Sequence, residues 1–154
     1  MIAMPTFTHY FSTYRALSGR EQWVLLASLV LLPLFWLGLR LAGLQRFQAW
    51  LDHFPLARRP PLSQAEAAAL GLAVNRAANR VLGATSCLTR SLLLRWLLRF
   101  YGTTSDLRIG VRCENGEFAA HAWVEIAGQP INDVPDIAIR YATFDKPVST
   151  SQFS

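Results

Sequence analysis

Residues 107–126 read LRIGVRCENGEFAAHAWVEI, and the spacing of apolar side chains there decides the fold class. From Leu107 to Cys113 apolar and polar residues alternate, the period of a strand with one buried face. Glu114-Asn115-Gly116-Glu117 carries the Asn-Gly pair that suits a two-residue hairpin loop, and Phe118 to Ile126 forms the returning strand. Gly128-Gln129-Pro130 predicts another turn, with Ile131 to Val134 opening a third strand.

Upstream, the period is helical. Ser63-Gln64-Ala65-Glu66 is a capping box, in which the serine oxygen and the glutamate carboxylate each satisfy a free amide. The Ala-rich run that follows predicts a helix to about Val81, ended by Gly83. A second helix opens near Ser86-Cys87 and runs to Phe100, with Leu88, Leu92, Trp96 and Phe100 at helical spacing and Gly102 closing it. Two helices followed by an antiparallel meander make an α+β domain. The prolines of Pro55 to Pro61 break any helix, so the chain divides there into residues 1–55 and residues 56–154.

The chain of 154 residues is long enough for a real core, and two cysteines do not make a disulfide scaffold. The net charge of +5 is scattered, with Arg58-Arg59 the only adjacent basic pair, so no nucleic-acid-binding stripe forms. Apolar residues concentrate from Gln22 to Leu39, a run without a charge, followed by Arg40 and a second amphipathic segment to Phe54. The run starts late and lacks a small-residue cleavage site, which fits a secretory signal poorly. Arginines flank it on both sides (Arg15 and Arg20, Arg40 and Arg46) and set no orientation. Three readings stay open: a single membrane span, a hairpin or interfacial helix pair dipping into one leaflet, or a hydrophobic helix packed on the second domain or a partner. Pro33 predicts a kink in each case.

Cys87 falls at a predicted helix start, where free amides and the helix dipole favour a thiolate. A lone cysteine there is more often a small buried apolar residue. His121 shifts the balance, because it sits mid-strand among small neighbours, in Ala119-Ala120-His121-Ala122-Trp123. A cysteine opening a helix and a histidine on a following strand is the papain-like arrangement, with histidine as general base and acid. Asp133 is the candidate that orients the imidazole. Side chains alternate along strands, so Asp133 shares the histidine face only if the hairpin loop before it has an odd length, and we expect three or five residues. Asn132, Asp136 and Asp145 are the fallbacks. Cys113, ending a strand before a tight turn, reads as structural. The cysteines and His9, His53 and His121 lack ligand spacing for a metal, no phosphate loop is present, and no cofactor is expected.

Ser86-Cys87-Leu88-Thr89-Arg90-Ser91-Leu92, the strand Leu107 to Val111, and Ala120-His121-Ala122-Trp123-Val124-Glu125 with Gly128 and Asn132-Asp133 resemble one family. It is that of the transglutaminase-like cysteine peptidases that mature lasso peptides, the B-type leader peptidases in their stand-alone form. The likeness runs from about Thr85 to Phe144, and the hydrophobic helices ahead of it are also similar. The resemblance implies a Cys87–His121–Asp133 triad that removes the leader from a ribosomally made precursor peptide. A macrolactam cyclase would then close the ring. Nothing in residues 1–55 looks like the winged-helix leader-binding domain of fused members, which implies a separate leader-recognition protein. Two other readings share the pattern: acyl transfer by the same triad, or a membrane-associated interaction protein with a vestigial site.

Overall fold

A computed structural model of the chain describes residues 18–54, 60–81, 87–114 and 116–143. The expectations placed on His9, Gly83, Ser86, Asn115, Asp145 and most of the proline linker lie outside the described residues.

Helix α1 (Gly19–Asp52) opens on a capping box, Ser18 with Glu21. Its backbone leaves helical angles at Gly43 (φ 75, ψ 167), which only glycine adopts readily. Pro33 was the expected kink, yet it sits inside helical residues and the break falls ten residues later. The break folds the second segment back on the first. The rings of Phe35 and Phe47 meet edge-on at 5.3 Å, whereas a straight helix would separate these positions by about 18 Å. Gly38 makes the fold-back possible, because a Cβ there would stand 2.3 Å from the Phe47 ring.

Helix α2 (Gln64–Val81) begins with the predicted capping box: the Glu66 amide donates to Ser63 Oγ, and the Ser63 amide donates to Glu66 Oε2. Helix α3 (Cys87–Phe100) ends at Gly102 (φ 73). The Thr103 amide donates to the Leu98 carbonyl and the Gly102 amide to the Arg99 carbonyl, the paired bonds of a Schellman close. Leu92, Leu93, Leu94, Leu97 and Leu98 are all buried, because α3 lies between α1 and α2 on one side and the sheet on the other. One apolar cluster joins Val24, Leu32 and Phe35 of α1 to Leu70 and Val74 of α2 and to the α3 leucines.

Strands β1 (Asp106–Glu114) and β2 (Glu117–Ile126) form the predicted hairpin, with Glu114 opposite Glu117 and Gly116 at φ 80. Two short strands flank them, β3 (Gln129–Pro130) and β4 (Ala142–Thr143), with the four-residue helix α4 (Ile137–Arg140) between. The antiparallel sheet runs β3-β2-β1-β4. The third strand was expected at Ile131 to Val134. It lies earlier because Ala127 (φ 50) and Gly128 (φ 77) turn the chain in two residues, and the pairing then fades into a bend over residues 131–133.

Candidate active site

Cys87 is the first residue of α3, and β2 packs alongside that end of the helix. The thiol hydrogen-bonds the His121 side chain and lies within reach of the Ala122 and Leu88 backbone amides. His121 Nε2 is 2.6 Å from Asp133 Oδ2. With Nε2 engaged by the carboxylate, Nδ1 is the ring nitrogen left for the thiol. The other Asp133 oxygen, Oδ1, accepts from the Val134 amide at 2.9 Å, which fixes the carboxylate plane. The structure therefore brings together all three residues that the sequence singled out.

Asp133 arrives by a route the alternation rule did not foresee. The loop before it has two residues, Ala127-Gly128, where three or five were expected. Extended in register, that hairpin would set Asp133 opposite Ala122, on the wrong face. The regular strand ends at Pro130, however; after one more backbone bond, from the Ile131 amide to the Val124 carbonyl, the bend at 131–133 turns the side chain back to the histidine. Side-chain parity binds only while a segment remains a strand.

Asn132 holds this bend in place. It is buried; its Oδ1 accepts from the Val124 amide at 2.8 Å and its Nδ2 donates to Ser91 Oγ at 3.1 Å. Ser91 Oγ in turn donates to the Ala122 carbonyl at 2.9 Å. A single buried network thus fixes α3, the histidine strand and the aspartate bend to one another. From the other side, Asn75 Nδ2 donates to the Asn132 carbonyl at 2.8 Å, and Gly71 lets α2 approach the Ile131 carbonyl. Asp136, the other described fallback, pairs with Arg140 on α4. Cys113 is exposed on β1 opposite Phe118, so it does not have the buried packing role that a structural cysteine would.

Two aromatic rings flank the imidazole. Trp123 stacks at 6.2 Å with an interplanar angle of 23°, and Tyr141 lies at 5.3 Å. Trp123 Nε1 donates to Glu125 Oε1 at 2.8 Å, and the buried Glu125 also accepts from Arg108 Nε at 3.0 Å. Gly110, opposite His121 on β1, leaves the room: a Cβ there would stand 2.8 Å from Tyr141 and 3.0 Å from the Trp123 ring. Sequence reasoning missed Ser91, Tyr141 and Glu125. Ser91 had a signal, being one helical turn beyond Cys87 on the same face; Gly110 inside a strand was another.

The electrostatics suit an ion pair. The hydrogen bond to His121 holds the Cys87 thiol below its ordinary range, overcoming partial burial, with the Ala122 and Leu88 amides assisting. The bond to Asp133, then that to Cys87, raises His121 to about 9. Burial works most strongly against the Asp133 carboxylate. It is nevertheless held below the usual range by the His121 bond, the Val134 amide and the nearby positive charges of His121 and Arg90. All three shifts act in the same sense, towards thiolate, imidazolium and carboxylate in a row.

The site is a helix-borne cysteine hydrogen-bonded to a histidine on an antiparallel sheet, with an acid behind the histidine. The chain belongs to the transglutaminase-like superfamily, whose family model matches residues 29–144. That span takes in most of α1, the other described helices, the whole sheet and the Cys87–His121–Asp133 cluster. Among individual proteins, a 53-residue stretch is 42% identical to the microcin J25-processing protein McjB of Escherichia coli. It covers 34% of this chain and 24% of that protein, so the match spans about a quarter of its relative's length. No solved structure matches.

Proposed function

We propose that this chain is a cysteine peptidase that removes the leader from a ribosomally made precursor peptide during lasso peptide maturation. The observation that carries the reading is the unbroken relay from Cys87 through His121 to Asp133, with the thiol depressed and the imidazole raised. The likeness to a microcin-processing protein supports the substrate class. In the proposed reaction the Cys87 thiolate attacks the scissile carbonyl and forms a C–S bond. The oxyanion collapses, the C–N bond breaks, and His121 gives its proton to the leaving amine. Neutral His121 then takes a proton from water, which attacks the thioester. Breaking the C–S bond releases the leader acid and restores the thiolate–imidazolium pair. Asp133 holds the ring and stabilises its charged form throughout.

Residues 56–154 carry the chemistry in this reading, and residues 1–55 serve attachment. The peptidase works with a separate leader-binding protein and hands the freed core peptide to a macrolactam cyclase. It acts in the cytoplasm at the inner face of the membrane; for membrane association, the support is the long apolar helix α1 among the described residues. The test incubates the protein with a precursor peptide and its leader-binding partner and follows peptide mass. Release of an intact leader, lost in Cys87→Ala, supports the reading; cleavage that persists in Cys87→Ala contradicts it. Acyl transfer to an amine in place of water would add the amine's mass to the product.

A further inference from the structure

The first segment of α1 is apolar on every side, but the protein covers only one of them. Val24, Leu25, Leu32 and Phe35 are buried against α2 and α3. On the opposite side Trp23, Leu26, Val30, Leu34, Leu37 and Leu41 recur every three or four residues, between 45% and 78% exposed. They form one ridge about 27 Å long. Only 28% of the most apolar stretch of α1 is buried, far less than in a core helix. An apolar strip of this size is costly in water and marks a surface that something covers.

We propose that this ridge lies in the plane of a membrane bearing anionic lipids, with the indoles, Arg40 and Arg46 of α1 at the headgroups. The proposal rests on the inner-membrane placement given above and names the face and the lipid charge. Two features exclude a crossing helix. The buried side packs on both α2 and α3, so a crossing would have to carry those charged helices into the bilayer with it. The fold-back at Gly43 also returns the second segment toward the first. Two more favour lipid over a protein partner. Apart from the Trp23 indole, the ridge has no hydrogen-bonding side chain, whereas protein interfaces carry about one hydrogen bond per 100–200 Å². Between Gln22 and Leu51 the only charges on α1 are Arg40 and Arg46, both exposed, with no acid among them. Arg40 lies over the Trp36 ring at 5.6 Å, an arginine–indole pair of the kind that suits the interface. The sheet packs on α3, so a helical layer separates the lipid face from the strand that bears His121.

The test is flotation of the full chain with phosphatidylcholine vesicles, with and without phosphatidylglycerol. The protein should float with the anionic vesicles and be released as salt rises. Arg40→Gln and Arg46→Gln should each weaken partition roughly fivefold at low salt, equivalent to about 1 kcal/mol per basic side chain. The double variant Val30→Glu/Leu37→Glu should not float, while its unchanged melting temperature shows that it folds. Cys87→Ala should float like the parent, so a failure of leader removal leaves this result standing. Three results would overturn the proposal: no flotation with either vesicle, equal flotation with both, or protection of one end of α1 from protease added outside sealed vesicles. The first assigns the ridge to a protein partner or a second copy, and the last to a span.

Discussion

The first turns of α3 and its last turns are built from opposite materials, although the same fourteen-residue helix supplies both. At the front, Cys87 and Ser91 meet β2 and the 131–133 bend through hydrogen bonds, and polar side chains are buried together. At the back, Leu97 is fully buried, and Trp96 joins an aromatic cluster with Phe35, Phe54 and Phe100. Burial without direction holds the back end, since apolar contact tolerates small shifts of geometry. Direction holds the front end, since a hydrogen bond moved by an ångström is lost. The helix thus anchors its cysteine from behind, through a leucine-rich core, and aims it from the front.

If that division is right, substitutions at the two ends should separate activity from stability. The largest effect is expected for Cys87→Ala, which should lower leader cleavage by at least about 10⁴-fold and leave the melting temperature nearly unchanged. Leu97→Ala should do the reverse: denaturant unfolding should show a loss of about 2–5 kcal/mol, while the pH profile of the remaining activity keeps its shape. Asp133→Asn comes next, lowering turnover by about 10²–10³-fold.

The Asp133 substitution also has a pH signature. Activity should rise as the Cys87 thiolate forms and fall as His121 loses its proton through about 9. Asp133 is the largest cause of that raised value, so Asp133→Asn should move the alkaline fall to lower pH. The same pairing stabilises the fold fully below the ordinary histidine value, about 6.5. That contribution is lost as pH rises through about 9, because a raised histidine pKa favours the folded state only while the ring is protonated. An unshifted alkaline limb in Asp133→Asn would detach the aspartate from the relay. Asn132→Ala should be milder, costing about 1–3 kcal/mol by stranding the Val124 amide and Ser91, with a partial loss of activity as the bend loosens. Smallest of all is Asp52→Asn, which removes the charge from a partly exposed pair with Arg99 at the back of α3, leaves the Arg99 bond to the residue-52 carbonyl, and should cost no more than about 1 kcal/mol.

Local chemistry made much of this legible in the sequence. The Ser63–Glu66 box, the Gly102 close and the Asn115-Gly116 loop each depend on neighbours within a few residues, and the described parts of all three are as read. Cys87 at a helix start and His121 in a small-residue strand were legible for the same reason. What the sequence hid is long-range. The register of Asp133 depended on where a strand would stop, and contacts with α2 and α3 far away in the chain hold the bend that follows. The kink went to Gly43 rather than Pro33 because a fold-back needs a left-handed residue, which a proline inside a helix does not supply. Tyr141 serves the imidazole only through the sheet order, which no local pattern announces.

The relay can be tested most directly on the intact protein, because it contains its own comparison. Cys113 is exposed on β1, whereas Cys87 is half-buried beside His121. Alkylation by iodoacetamide, followed residue by residue by peptide mass across pH, reads the reactivity of both thiols in one sample. The account predicts that Cys87 reacts first and stays reactive well below pH 8.5, the usual thiol value, and that His121→Ala removes this advantage. Alkylation of Cys113 ahead of Cys87 at every pH, or a Cys87 profile untouched by His121→Ala, would contradict it.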